Sequence, residues 1–512
     1  MELELTTINL NCYDMVLDTT LLDEETLESI VPDAYPDIMR ILDTEAMVCL
    51  NEKKATEGRA EVSGSVRADI LYLPEADGCV QRMTVSLPFS CSADLPAITA
   101  NSHITALLNI RTVDTRSLNP RKVLTRVCVS VQLQVYVPRA SDICSDVCSE
   151  DQADIQQLCE TQDAYMVMSV EEKPFTFSDE LALPGSRARI QTLLKTRVDF
   201  ACSESKIIGS KLIFKGDATL YLLYLDAAGS ISSAEFELPF SQIMEIVGVG
   251  EDANATLQIS MTDCNCLPAG EGDDEGRTIS VSLSMLAQAV VREERQVQLL
   301  TDVYSTACAV TAESKVYTFS HLADSGSRRV MMRETLETAQ PVREVCDVCV
   351  RTGQVSQSKG DGGTIELSGE TFVSVLYLGE DGMLYTETRS LAASCTLELP
   401  DDCVLSCQCV CPGERFASPA GGGIEVRYPI LFSYLALISQ RAMGVNHVVR
   451  DEKSPRNIAG QPSIILRMVT ENEKLWDIAK AYGTTASDIM RANALTEEAV
   501  PVGHLLLIPK KR

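Results

Sequence analysis

One tryptophan, four histidines and aromatics at only 5% of 512 residues leave few side chains suited to stacking, metal ligation or imidazole catalysis. The histidines, His103, His321, His447 and His504, are scattered, and none stands in a His-Glu-x-x-His helix or beside a nucleophile elbow. A Gly-x4-Gly-Lys phosphate loop is missing as well. No catalytic residue, no metal and no cofactor is therefore expected, and the chain reads as a non-enzyme. Cations are in deficit, with 44 Lys and Arg against 73 Asp and Glu for a net charge of -29. Binding to a phosphate backbone needs clustered Lys and Arg, so nucleic acid is excluded as a partner. The longest nearly uninterrupted apolar run, 430–438, is about half the length a membrane-spanning helix needs, and no transmembrane segment is expected. Met1-Glu2-Leu3-Glu4-Leu5 offers neither a basic n-region nor an apolar h-region, which points to a cytoplasmic protein.

What is present is enough apolar material to fold: 45% hydrophobic residues and a mean hydropathy of +0.03. The length calls for several domains. Residues 467–512 hold seven basic and six acidic side chains, so almost all of the negative charge belongs to the body before them. Nineteen cysteines are an odd number in a chain with nothing to direct it to an oxidising compartment, so reduced thiols are expected. Cys346 and Cys349 have metal spacing but lack a second pair. Cys407, Cys409 and Cys411, close after Cys403, alternate as on one face of a strand and read as small hydrophobes. The acidic stretch 270–276 lacks calcium-loop spacing and reads as a hairpin loop.

Self-comparison shows three copies of one pattern. Gly64, Gly216 and Gly369 each precede a Leu-Tyr-Leu triplet by the same distance, with Tyr72, Tyr224 and Tyr377 at its centre. A Gly-containing turn follows (Asp77-Gly78, Ala228-Gly229, Asp381-Gly382), then Leu87-Pro88-Phe89-Ser90, Leu238-Pro239-Phe240-Ser241, or, departing from the pattern, Leu391-Ala392-Ala393-Ser394. Val62, Gly64, Val66, Ala68 and Ile70 alternate with polar residues, so each copy centres on a β-hairpin. Copies two and three also share an entry signal, Lys173-Pro174-Phe175 with Gly185-Ser186-Arg187 against Lys315-Val316-Tyr317 with Gly326-Ser327-Arg328, which implies a polar insertion at 356–363 in the third. The expectation is a mainly β chain of three antiparallel sheet or sandwich-like domains, packed on themselves or on a short helix such as 36–42. They are placed at 26–140, 173–295 and 315–440 as beads with separate cores, after a lead segment 1–25 and before a linker 441–463 containing Pro455 and Pro462.

The tail, 464–512, has its own pattern. Val469 ends a short strand; Leu475, Ile478, Ala479 and Tyr482 share one helical face, and Gly483 stops the helix. A second short helix fits 487–492, and 502–509 reads as a returning strand. The order strand, helix, helix, strand resembles the LysM module, a small α+β domain that binds carbohydrate or protein. In glycan-binding LysM modules the loop before Leu-Trp reads Gly-Asp-Thr; here it is Asn472-Glu473-Lys474, which removes the easy close approach of a sugar to a glycine backbone. Leu506 and Ile508 should face the core, leaving Leu505 and Leu507 outward as an apolar pair suited to a protein. The candidate partner- or glycan-binding residues are therefore Glu471, Asn472, Glu473, Lys474, Leu475, Trp476, Leu505 and Leu507. Trp476 is expected to fill the core of the module as well.

The triplicated hairpin resembles the SPOCS domain of sporulation proteins from spore-forming Firmicutes, and SPOCS-like copies followed by a LysM-like tail are similar to the SipL family. That resemblance implies a spore-coat assembly scaffold in clostridia, cytoplasmic in the mother cell and acting at the forespore surface. It further implies that the LysM-like tail is an adaptor to the coat morphogenetic ATPase or another coat protein. A peptidoglycan-binding cell-wall protein is the alternative.

Overall fold

The computed structural model describes residues 2–75, 79–148, 154–270, 276–360, 363–456, 462, 464–471 and 473–509. The expected Asp77-Gly78 turn, the interior of the 270–276 loop, residues 457–461 and 463 of the expected linker and Asn472 lie outside the described residues. The first unit comprises β1 (Leu5–Ile30), β2 (Ile38–Thr56), β3 (Arg59–Pro74), β4 (Gln81–Asp94), β5 (His103–Asn119) and β6 (Lys122–Val147). The second repeats that order with β7 (Ile155–Ala182), β8 (Thr192–Ile208), β9 (Lys211–Leu225), β10 (Ile231–Glu245), β11 (Asn254–Ala269) and β12 (Thr278–Ser305). The third has β13 (Cys308–Glu337), β14 (Val342–Lys359), β15 (Thr364–Gly379), β16 (Leu384–Glu398), β17 (Val404–Val410), β18 (Phe416–Ala420) and β19 (Gly423–Pro455). The tail adds β20 (Ile464–Met468), α1 (Leu475–Tyr482), α2 (Ala486–Ala492) and β21 (Leu505–Pro509).

Each unit is two facing antiparallel sheets. One is a meander, β2-β3-β4, β8-β9-β10 or β14-β15-β16; the other sets the unit's first strand against its last, in the orders β1-β6-β5, β7-β12-β11 and β13-β19-β17, the first two joined into one six-stranded sheet where Tyr13 of β1 pairs with Val167 of β7. Period-two alternation sends one row of each strand into the space between the sheets, as with Ala60, Val62, Val66, Ala68 and Ile70 of β3. Tyr72, Tyr224 and Tyr377 are fully buried. The first two donate their hydroxyls to Pro36 O (3.3 Å) and Ala188 O (3.0 Å), tying down the loop that enters the meander. Opposite Gly64 and Gly216 the partner strand carries a bulge, at Leu50/Glu52 and Cys202/Glu204. A Cβ on either glycine would meet the carbonyl of Cys49 at 2.4 Å or of Ala201 at 2.1 Å, and the Phe89 or Phe240 ring on the other side. The glycines are thus required by close backbone approach. In the third unit, where Ala393 replaces the phenylalanine, Phe432 of β19 and Cys409 of β17 stand over Gly369 instead.

The units are not beads. Besides three sandwich cores they share a fourth, made by the two leucines that flank each central tyrosine: Leu71 and Leu73, Leu223 and Leu225, Leu376 and Leu378. Alternation explains it, because the tyrosine faces its own sandwich and its neighbours face the opposite side, where the three meanders meet. A second bulge in each first meander strand, between Ile41 and Asp43, Leu193 and Lys195, and Val345 and Asp347, turns Asp43, Lys195 and Asp347 toward one another. Lys195 Nζ binds Asp43 and, at 3.0 Å, Asp347. Arg351 pairs with Glu45 at 3.2 Å beside them.

The first and last strands of each unit extend beyond the sandwiches as two-stranded ribbons, which pack together through Ile143, Val297, Leu299, Tyr317 and Phe319 and, further out, through Leu3, Leu300, Val303 and Val448. Several expectations change here. Residues 1–25 are no lead segment but supply most of β1, paired along its length with β6. Positions 26, 173 and 315 fall inside β1, β7 and β13, and 140, 295 and 440 inside β6, β12 and β19. Residues 441–455 of the expected linker continue β19 against β13. Ribbon strands are only partly buried, so Asp, Glu and Thr dilute their apolar alternation. The shared entry signal does not mark equivalent places: Gly185-Ser186-Arg187 lies between β7 and β8, whereas Gly326-Ser327-Arg328 lies inside β13, opposite Tyr434, Ser433 and Phe432. The expected helix at 36–42 is instead the start of β2, since a short apolar run fits either period.

Candidate functional site: the C-terminal module

In the tail, β20 and β21 pair antiparallel, and α1 and α2 cover one face of the ribbon they form. Asp477 accepts the Lys474 N–H (3.3 Å) at the start of α1, and Gly483 closes the helix at φ +63°. Thr485 Oγ1 accepts the Asp488 N–H (3.0 Å) to cap α2. Val469, Leu475, Ile478, Ala479, Ile489, Leu506 and Ile508 form the module's small core.

The predicted site residues, Asn472 apart, separate into four groups. Leu475 belongs to that core. Glu471 and Lys474 are exposed, and Glu473 is half-buried in the loop between β20 and α1. Its carboxylate accepts the Thr470 N–H (3.2 Å) and Thr470 Oγ1 (3.1 Å) and pairs with Arg467. Although desolvation pushes the other way, these donors hold the Glu473 carboxyl below its ordinary value. The loop is thereby folded onto its own side chain. Leu505 is exposed, and Leu507 is half-buried, its backbone held by both ends of the Asn493 amide at 2.7 Å each.

Trp476 is not core filler alone. Its ring meets Tyr304 at the end of β12 edge to face, with centroids 4.8 Å apart, and its Nε1 donates to Asp302 Oδ2 at 2.8 Å. Lys480 pairs with the same carboxylate at 2.7 Å, Tyr304 donates to Thr484 O at 2.8 Å, and Arg456 donates to Lys480 O at 3.0 Å. Burial pushes the Tyr304 hydroxyl up to about 12, which keeps it a donor. The module is docked on the ribbon of the second unit.

The residues missed are those of β20. Leu466 pairs with Leu507 and Met468 with Leu505, so these side chains share the outer face of the ribbon with Ile464. Ile464, Leu466, Met468, Leu505 and Val502 are each more than half exposed. The alternation Ile464-Leu466-Met468 was legible, but the side of the strand it occupied depended on the register with β21. Elsewhere, Cys409 is buried and Cys403, Cys407 and Cys411 pack at the edge of the third core. Burial pushes the Cys407 and Cys409 thiols up to about 12. Among the described residues no group of three or more His, Cys, Asp or Glu is placed to hold a metal ion, and no helix is long and apolar enough to cross a membrane.

Comparison with known families agrees with this geometry. The SipL, SPOCS domain family matches residues 37–117 and 189–267, which span β2 to β5 and β8 to β11, and the LysM domain family matches residues 468–509. No curated protein and no solved structure matches the chain.

Proposed function

We propose that this chain, which carries SipL SPOCS domains followed by a LysM domain, is a non-enzymatic scaffold of spore-coat assembly whose LysM domain is an adaptor to a coat protein. SPOCS and LysM are binding domains, and they set the protein in sporulation, with peptidoglycan as the ligand class LysM suggests. The observation that carries the adaptor reading is the apolar outer face of the β20–β21 ribbon, Ile464, Leu466, Met468 and Leu505, on a module whose Glu473 loop is closed on Thr470 and Arg467. A face of this kind suits a protein, while the Thr470 N–H and hydroxyl of the loop are already taken by Glu473. In this reading the site of action is the forespore surface, and the partner is the coat morphogenetic ATPase.

The test is binding of the full-length protein, and of its Leu466→Asp and Leu505→Asp variants, to the purified coat ATPase and to purified peptidoglycan. Wild-type binding to the ATPase, lost by roughly thirtyfold or more in the variants, is expected for buried interface anchors. Tight binding to peptidoglycan that both variants retain, with no binding to the ATPase, would replace the adaptor by a cell-wall function.

A further inference from the structure

The three seams between units are built differently. Across the first and second, Arg67 donates to Cys264 O at 2.7 Å. Across the first and third, Arg111 grips Glu370 with two bonds of 2.9 Å. At the seam of the second and third the pattern breaks. β17 has 7 residues where β5 has 17 and β11 has 16, and Pro412 with Gly413 (φ +79°) then turns the chain so that Arg415 points into the seam.

Arg415 pairs with Asp199 at 2.6 Å, and Arg197 reaches Glu45 and Asp347 only at 3.6 and 3.5 Å. Both guanidiniums are buried and lie over the ring of Tyr221, 5.9 and 4.9 Å from its centroid. The Nε of each has no hydrogen-bond partner among the described residues. Buried donors of this strength are nearly always matched by an acceptor. Beside them is a cavity of 390 Å³, lined also by Ser233, Glu235 and Glu414. Such a volume suits a small ligand. Inside, Arg197 and Arg415 stand beside the mutually paired Lys195 and Asp347, while Glu235 and Glu414 are exposed at the mouth together with Arg187. Partial burial, and then the proximity of Glu414 and Glu237, raise the Glu235 carboxyl above its ordinary value, so a cation between these groups would relieve repulsion.

We infer that the cavity between the second and third units binds a small zwitterion, an amino acid or short peptide, with its carboxylate on Arg197 and Arg415 and its ammonium at Glu235 and Glu414. An acetate-like anion would satisfy the inner donors but leave the rim carboxylates unpaired, and a bare ammonium would do the reverse. The site is independent of the LysM domain and of the adaptor reading.

The experiment is calorimetric titration of the full-length protein with alanine, alanylalanine, acetate and methylammonium. One of the two zwitterions is expected to bind with one site per chain, acetate at least about tenfold more weakly, and methylammonium not at all. Glu235→Gln, at an exposed position, should weaken the zwitterion by about tenfold and leave acetate unchanged or tighter. Arg415→Gln should abolish both, with circular dichroism confirming the fold. No heat from any probe with the wild-type protein, acetate as tight as the zwitterions, or zwitterion binding unaltered in Glu235→Gln would overturn the assignment.

Discussion

Lys195 Nζ lies 3.0 Å from Asp347 Oδ2, and the two residues occupy the same place in successive units, 152 positions apart. Asp43 holds that place in the first unit, again 152 positions away, and binds the same ammonium. Three identical subunits around an axis would set like charges against one another here. Three tandem units of diverged sequence can place one cation between two anions, and the pairing then specifies which unit sits beside which.

Replacing that cation is the sharpest test of the shared centre. Lys195→Met leaves Asp43 without its ion pair and Asp347 with only the longer contact to Arg197. Removing one partner of a buried ion set costs about 3–5 kcal/mol, read as a lower denaturant midpoint. Replacing all three, Asp43→Leu, Lys195→Met and Asp347→Leu, should recover most of that loss, since apolar residues of similar volume need no counter-ion. If the single variant kept wild-type stability, the central contact would be energetically idle.

The same cluster sets a pH profile. Burial would raise the Asp347 carboxyl, but Lys195 and Arg197 outweigh it and hold it well below the usual carboxylate range. Its stabilisation is therefore present above the unfolded value of about 3.9 and is lost as pH falls from there through the depressed folded value. Burial would lower Lys195, but Asp43 and Asp347 outweigh it and raise its ammonium above the ordinary value. That contribution is complete below about 10.4 and disappears as pH rises through the raised folded value. Denaturation midpoints should be flat across neutrality and fall at both extremes, and Asp347→Asn should show a shallower fall below about pH 4. An unchanged acid limb in that variant would assign the fall to other carboxylates.

The third unit offers a packing test. Ala393 is buried where the other units carry Phe89 and Phe240, and Phe432 with Cys409 occupies the space over Gly369. Ala393→Phe should overpack the third core and cost about 1–3 kcal/mol, and Phe432→Val in the same chain should recover part of it. A double-mutant cycle on thermal unfolding measures the coupling. Additive losses would show that the two positions do not compete for one volume.

The hairpins, the glycines, the buried tyrosines and the helices of the LysM domain were all legible, because period-two and helical alternation and a tight Gly contact leave local marks in sequence. What was hidden is non-local. Leu71, Leu223 and Leu376 read as ordinary strand residues; that they meet depends on three sheets turning one face to a common centre. The departure at Ala392-Ala393 was visible as a difference, but its compensation by Phe432, at a distant point of the chain, was not. For the LysM domain, Trp476 belonged to a recognisable helix, yet its partner Asp302 sits in a ribbon strand whose Thr301-Asp302 sequence carries no mark of a docking site.

That docking is open to a direct optical test, since Trp476 is the only tryptophan in the chain. Its indole is half-buried against Tyr304 and bonded to Asp302, and the same carboxylate holds Lys480. Asp302→Asn keeps the shape of the side chain but removes the charge both donors use. A hydrogen bond to a charged group is worth about 1.5–3 kcal/mol, enough to shift a small interface toward release. The variant should therefore show red-shifted tryptophan emission as the indole meets water, and a larger maximum dimension by small-angle scattering. The LysM helices should remain, because Leu475, Ile478, Ala479 and Ile489 pack within the module. Trp476→Ala should likewise release the module without unfolding it, seen as dispersed amide signals retained across 475–492. Collapse of those signals would return Trp476 to the role of core filler, and unchanged emission in Asp302→Asn would remove the carboxylate from the docking contact.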